Sequence, residues 1–124
     1  MRTRTVCVMW LCLLGVGCSK QKSTSELIGD LKSPHEKDRI IAVRLLPQRK
    51  GDETKIVPAL IESLKDKEGD IRWSAAIGLG SYGEAAKDAI PALQEAQRDK
   101  DARVREAAGI ALSRIDPQQF PVKK

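Results

Sequence analysis

Few side chains in this 124-residue chain could carry out covalent or acid-base chemistry. The chain contains three cysteines, Cys7, Cys12 and Cys18, and a single histidine, His35. A zinc site needs about four nitrogen or sulfur ligands close together, and these residues do not form such a cluster. His35 has no nucleophile suggested beside it. We therefore expect no metal site, no cofactor and no catalytic residue.

The positions of the cysteines point to one covalent modification instead. Two of them lie in an uncharged run over residues 5–17, which follows Arg2 and Arg4 and precedes a polar stretch over residues 19–25. A basic start, a short apolar run and small residues at its end are typical of an export signal. The run is too short to span a bilayer, which needs about 20 apolar residues. Once the signal is removed, only Cys18 could remain, so no internal disulfide is expected.

This segment resembles a bacterial lipoprotein signal, in which a small residue precedes a cysteine that is acylated on its thiol and becomes the mature amino terminus. Gly17 and Cys18 match that pattern, although Gly15 stands where these signals prefer leucine. The resemblance implies that residues 1–18 are a signal segment and that the exported protein is a membrane-anchored lipoprotein at the periplasmic face. Ser19 is not the aspartate that retains lipoproteins at the inner membrane, which favours the outer membrane. An uncleaved or ordinarily cleaved leader is the alternative.

The charge distribution argues against a nucleic-acid partner. The chain has 22 basic and 17 acidic residues, a net charge of +5 and a pI of about 9.3. Because Arg2 and Arg4 leave with the leader, the net charge of the remainder falls to +3. Charges of both signs alternate along the chain instead of forming a basic stripe. Aromatic residues make up only 3%, which leaves few surfaces for base stacking.

Beyond residue 25 the sequence repeats itself with a period of about 33 residues, which is typical of stacked helical repeats. Four sets of identical residues recur at this spacing: Leu27, Leu60 and Leu93; Arg39, Arg72 and Arg105; Ala42, Ala75 and Ala108; Leu46, Leu79 and Leu112. Helix-period apolar patterns separated by breakers lie between them. Each unit is therefore predicted to consist of two short helices that cannot bury their apolar faces alone.

The starts of the first helices are marked by residues that favour capping. Ser33 has the spacing of a capping box with Glu36, and Asp66 and Asp99 occupy the equivalent positions. The second helix of each unit carries a proline, which predicts a helix start or a kink there. By this count the chain has six helices: a lone second helix, two complete pairs, and a final first helix.

These residues carry a family resemblance. The first helix of HEAT-like repeats resembles the run from Asp70 to Gly80 and the equivalent run from Val104 to Leu112. The second helix resembles the segments that contain the Pro-Ala-Leu motifs at Pro58 to Leu60 and Pro91 to Leu93. The closest subtype is the short form also found in phycobilin lyases. The resemblance covers residues 26–115, between a polar tether over 19–25 and a tail over 116–124. It implies an all-α, α-α superhelical solenoid that usually binds other proteins, but it specifies no ligand.

Two classes of function follow. The leading one is a non-catalytic interaction module or scaffold, held at the bacterial cell envelope through Cys18 and bound to a protein partner there, with self-association as a further option. The alternative is a bilin-lyase-like enzyme or enzyme subunit, which only the repeat subtype suggests. Export argues against the enzyme, because such lyases act where their chromoprotein partners are made.

The recurring arginines are the candidates for a structural role. Arg39, Arg72 and Arg105 occur once per unit, and we predict that they form a ladder by pairing with acidic residues near the helix starts. Such ion pairs would also fix the register between stacked turns. A basic surface for an acidic partner is the alternative.

An apolar patch on the first helices is the candidate binding site. The core is expected to use residues such as Ile41, which leaves Ile40, Trp73, Ile77 and Ile110 on the outer face. Ile40 and Trp73 are equivalent in successive repeats, while Trp73 and Ile77 share one helix face because they are four residues apart. Tryptophan is enriched at interface hot spots, so this surface is predicted to bind a partner or a second copy. Ordinary packing under long neighbouring side chains is the alternative.

Overall fold

The computed structural model describes residues 20–122, so the predicted signal segment and Cys18 lie outside the described residues. Within this range there are six α-helices and no strand. The helices are α1 (Thr24–Asp30), α2 (Glu36–Leu45), α3 (Glu53–Ser63), α4 (Gly69–Ser81), α5 (Ile90–Ala96) and α6 (Ala102–Ile115). Short 3-10 helices over Leu46–Gln48 and Gly83–Ala89 follow α2 and α4. The prediction of an all-α solenoid with about six helices is confirmed.

The capping box of the chain lies one helix earlier than the sequence predicted. Ser23 caps α1 and exchanges hydrogen bonds with Glu26, so the last residues of the predicted tether belong to the first helix. The prediction of a capping box at Ser33 is wrong, because the Ser33 hydroxyl donates to Asp38 at 2.7 Å and accepts the His35 N–H at 3.2 Å. Ser33 thus fixes the turn before α2 instead of capping its first residues.

The helices lie in two layers with the core between them. The first helices α2, α4 and α6 pack side by side, with α4 in contact with both of the others. The second helices α1, α3 and α5 and the 3-10 helix over Gly83–Ala89 cover one side of this row. The leucine and alanine sets that recur in the sequence supply the centre of the core, where each is fully buried: Leu27, Leu60, Leu93, Ala42, Ala75, Ala108, Leu46, Leu79 and Leu112.

Glycines let α4 approach both of its neighbours closely. A Cβ atom added to Gly80 would lie 3.0 Å from the Cα of Ala111 in α6. A Cβ atom on Gly78 would lie 2.6 Å from the Cγ of Pro47, which follows α2. Such small residues allow helix axes to come closer than bulky side chains would permit.

The prediction that Ile41 belongs to the core is wrong, since its side chain is 53% exposed. The equivalent residue in the next repeat, Ser74, is buried because it lies beside Val43 and Pro47 of the preceding repeat. No first helix precedes α2 in the described range, so no described residue covers the same face there. Leu45, one turn later, is exposed for the same reason.

The close α4–α6 contact predicts opposite effects of alanine at two helical glycines. Gly80→Ala should lower the free energy of unfolding by about 1–3 kcal/mol, because the new methyl group meets the Ala111 backbone and α6 must move. Gly109→Ala is the matched control in α6: its Cβ would lie 3.6 Å from the Gln97 amide nitrogen, an ordinary contact. This control should raise the stability by up to about 1 kcal/mol through helix propensity.

Urea unfolding of both variants measures the difference. Equal effects of the two substitutions would show that Gly80 does not set the distance between α4 and α6.

Candidate interaction surface

Two arginines of the first helices each bind both carboxylate oxygens of an aspartate in the following repeat. Arg39 donates to Asp66 from Nε at 2.8 Å and from Nη2 at 3.3 Å. Arg72 donates to Asp99 in the same way, at 2.8 and 2.9 Å. These four side chains are only 7–12% exposed. Bidentate pairs of this kind are the stronger class of charged hydrogen bonds.

Each of these arginines also holds the loop that leads into its own helix. Nη1 of Arg39 donates to the carbonyl of Ser33 at 3.0 Å, and Nη1 of Arg72 donates to the carbonyl of Asp66 at 2.8 Å. The aspartates in turn accept the backbone N–H two residues later, at 2.9 Å for Asp66 and 2.8 Å for Asp99. One arginine therefore joins its own helix, the loop before it and the loop of the next repeat.

Charge pairing within this arrangement shifts the ionisation of both partners. The hydrogen bonds from Arg72 lower the pKa of the Asp99 carboxyl below its usual value, and the same bonds raise the pKa of Arg72. Both groups are therefore held in their charged forms, which is the state that the bidentate contact requires.

The third arginine of the ladder, Arg105, pairs with no acid among residues 20–122, which corrects the prediction that all three pair with carboxylates. Nη1 of Arg105 donates to the carbonyls of Asp99 at 2.8 Å and Lys100 at 3.2 Å, as in the other two repeats. No acidic side chain of the described residues lies within ion-pair distance of it. In the other pairs the aspartate comes from the following repeat, 27 residues later.

A tyrosine that sequence reasoning missed joins the repeats at the other end of the first helices. The Tyr82 hydroxyl donates to the carbonyls of Leu46 at 3.1 Å and Arg49 at 3.3 Å, in the turn that follows α2. Burial raises the pKa of Tyr82, so the hydroxyl keeps its proton and remains a donor. Tyrosine occurs only once, and Arg49 and Ile115 occupy the equivalent positions, so the repeat pattern carried no signal for it.

An open groove of about 220 Å³ lies between α2 and α4 on the outer side of the first helices. Its walls are mostly apolar and come from both helices and from the turn after α2: Val43, Arg44, Pro47, Trp73, Ser74, Ile77, Gly78 and Ser81. Trp73 is partly buried against the core, while Ile77 is 41% exposed. The groove thus presents an aromatic ring and an aliphatic side chain to solvent.

The Ser74 hydroxyl within this groove has no hydrogen-bond partner. Ser74 is 7% exposed, and its Oγ is buried and unpartnered. Serine inside a helix usually donates to the carbonyl four residues earlier, which would satisfy it. Leaving a buried hydroxyl without a partner costs about 1–3 kcal/mol. Within the described residues this is the one buried side-chain polar atom left in that state.

The four residues of the predicted apolar patch do not line one groove. Trp73 and Ile77 line the groove between α2 and α4. Ile40 is partly buried against the core and is not part of that groove. Ile110 of α6 lines a second groove, together with Phe120 and Val122 of the tail. The tail therefore folds back next to α6, with Phe120 packed on the core and Val122 exposed.

The comparison with protein families agrees with the two-layer repeat. A family model of HEAT repeats matches residues 24–113. The chain belongs to the HEAT repeat family. HEAT repeats are generally protein-interaction scaffolds and are typically non-catalytic. No curated protein matches the chain.

Among residues 20–122, no helix is long and apolar enough to cross a membrane. The same residues contain no group of histidine, cysteine, aspartate and glutamate side chains that could hold a metal ion.

The two classes of arginine in these HEAT repeats should respond differently to substitution. Arg72→Ala should lower the free energy of unfolding by about 3 kcal/mol, because it leaves the Asp99 carboxylate largely buried without its partner. Arg103→Ala is the matched control. Arg103 also contacts two acids, Asp70 and Asp101, but its side chain is 59% exposed, so its removal should change stability little.

Denaturant unfolding monitored by circular dichroism measures both effects. If Arg72→Ala proves as harmless as Arg103→Ala, the buried pair does not hold the repeats together.

Proposed function

We propose that this HEAT repeat protein is a non-catalytic interaction module, tethered to the bacterial cell envelope through a lipid on Cys18. The module would lie at the periplasmic face, with the outer membrane favoured, and would bind another envelope protein. The observation that carries the binding part of this proposal is the unpartnered Ser74 hydroxyl in the groove between α2 and α4.

The chemistry of this groove fits a polypeptide segment. Trp73, Ile77 and Pro47 would receive one aliphatic or aromatic side chain of the partner. Because the Ser74 Oγ is itself buried, its side chain would rotate toward the groove on binding. The hydroxyl would then donate to a backbone carbonyl of the same segment and lose its unsatisfied state. Arg44 also lines the groove and offers a charged group to an acidic residue of the partner. Of the four residues predicted from sequence, this site uses Trp73 and Ile77.

The tether in this proposal is short. Since α1 begins at Thr24, only residues 19–23 separate Cys18 from the first helix. Five extended residues span at most about 18 Å. The start of the repeat stack would therefore stay close to the lipid surface, where only a partner in or near the membrane could reach the groove.

The groove predicts an unusual combination of effects for Ser74→Ala. The substitution should raise the melting temperature of the isolated protein, because it removes a buried hydroxyl that lacks a partner. It should also weaken capture of the envelope partner, because the partner loses a hydrogen bond. Thermal unfolding and quantitative mass spectrometry of proteins copurified from the cell envelope measure the two effects.

A pair of isoleucines with nearly equal exposure controls for surface hydrophobicity. Ile77→Lys places a charge in the groove and should reduce capture at least about tenfold. Ile110→Lys changes a side chain that is 42% exposed, against 41% for Ile77, but that lies outside the groove. If both variants reduce capture equally, or neither does, the groove is not the binding site.

The lipid anchor predicts that Cys18→Ser stops maturation and removes the protein from the membrane fraction. The serine hydroxyl cannot form the thioether that anchors a bacterial lipoprotein. Cys12→Ser is the matched control within the leader and should leave processing unchanged. Membrane fractionation with mass spectrometry of the amino-terminal peptide distinguishes the forms, and normal fractionation of Cys18→Ser would reject the anchor.

A further inference from the structure

The two ends of the row of first helices expose apolar side chains. Five large hydrophobic residues of the described chain are exposed. Ile41 and Leu45 lie on the end formed by α2, whereas Ile110 and Val122 line the groove at the end formed by α6. Solenoids that end in solvent usually present polar terminal faces. These ends are therefore unlike the caps of an isolated stack.

The α6 end also carries an arginine that is already positioned for a carboxylate. Nη1 of Arg105 binds two loop carbonyls, just as Nη1 of Arg39 and Arg72 does. In those two repeats the other edge of the guanidinium, Nε and Nη2, binds both oxygens of an aspartate. On Arg105 this edge makes no hydrogen bond to the described residues. In both repeats, therefore, the group to which this edge donates is a carboxylate.

The α2 end carries a carboxylate at the matching place. Ser33 stands in the position of Asp66 and Asp99, the acids that the ladder arginines bind. Its hydroxyl donates to Asp38 at 2.7 Å, which brings an acid next to that position. Asp38 itself replaces an apolar core residue, since Ile71 occupies the equivalent position in the next repeat and is buried. An acid at this point has no counterpart in the later repeats.

The shapes of the two ends are complementary as well. The face of α4 that receives α6 carries small residues, including Ala76 and Gly80. The equivalent residues of α6 are Gly109 and Ser113, which line the groove at its end. Large side chains, Ile41 and Leu45, project from the opposite end and could fill such a shallow face.

We propose that two copies of this chain associate head to tail, with the α6 end of one copy against the α2 end of the next. Arg105 binds Asp38 of the second copy, and Ile41 and Leu45 of that copy pack on Gly109 and Ser113. Since the two surfaces differ, the contact leaves one end of each type available and can add further copies. The second helices add little apolar surface to the contact, because exposed Gln94 and Gln97 replace the apolar Ile61 and Leu64 of the preceding repeat.

Variants with one blocked end test this arrangement. Arg105→Glu blocks the α6 end, and the double variant Ile41→Glu with Leu45→Glu blocks the α2 end. All three side chains are exposed, so the fold should persist, which circular dichroism checks. The full-length chain in detergent micelles is studied by sedimentation over a concentration series. Arg98→Glu is the control, because this exposed arginine lines the groove between α3 and α5 and not the groove at the α6 end.

The wild-type chain and the control should form dimers and longer species as the concentration rises. Each blocked variant alone should remain monomeric, with association weakened about tenfold or more. An equimolar mixture of the two blocked variants should form a dimer that grows no further, since one intact end of each type remains. In a chain carrying both Arg105→Asp and Asp38→Arg, association lost in each single variant should return.

Several results would overturn the proposal. A wild-type chain that stays monomeric at every concentration would do so. Association of either blocked variant alone at the wild-type level would show that each end pairs with its own kind or that the leaders associate in the micelle. Wild-type association that is absent from the mixture would show that the contact does not join an α6 end to an α2 end. Association that survives Arg105→Glu unchanged would remove the arginine from the contact.

Discussion

An arginine that is more than nine-tenths buried must find partners for a rigid, planar set of five N–H donors. Arg39 and Arg72 meet this requirement with two loop carbonyls on one side and an aspartate of the next repeat on the other. The position of each aspartate is fixed by its own turn, through the N–H group two residues later. The register between successive first helices follows from this arrangement, and the packing of the core accommodates it.

The groove between α2 and α4 follows from that register and from the different sizes of the side chains that line it. Gly78 lets Pro47 come close to α4, whereas Trp73 and Ile77 are too large to be enclosed between the helices and remain at the surface. Ser74 is buried between these regions without a hydrogen-bond partner. The equivalents of Trp73 in the other repeats are Ile40 and Glu106, so the aromatic wall of the groove occurs in one repeat.

The interior of the stack could be predicted from the sequence because it is periodic. The leucine and alanine sets and the two arginine–aspartate pairs recur at one spacing, and each repeat supports the interpretation of the next. The ends of the described stack could not be predicted, because equivalent residues differ in burial and in pairing where the described residues supply no neighbouring repeat. Ile41 is exposed although its equivalents are buried, and Arg105 lacks the acid that the other arginines bind. Single residues such as Tyr82 carry no periodic signal, although they also join repeats.

A double-mutant cycle on Arg72 and Asp99 tests most directly whether the buried pair holds the repeats in register. The free energy of unfolding is measured for the wild type, Arg72→Ala, Asp99→Ala and the double variant, with a parallel cycle on the exposed pair of Arg103 and Asp70. The buried pair should show a favourable coupling energy of about 2 kcal/mol, and the exposed pair should show little or none. A coupling near zero for Arg72 and Asp99 would contradict the account, since the two residues would then stabilise the fold independently of each other.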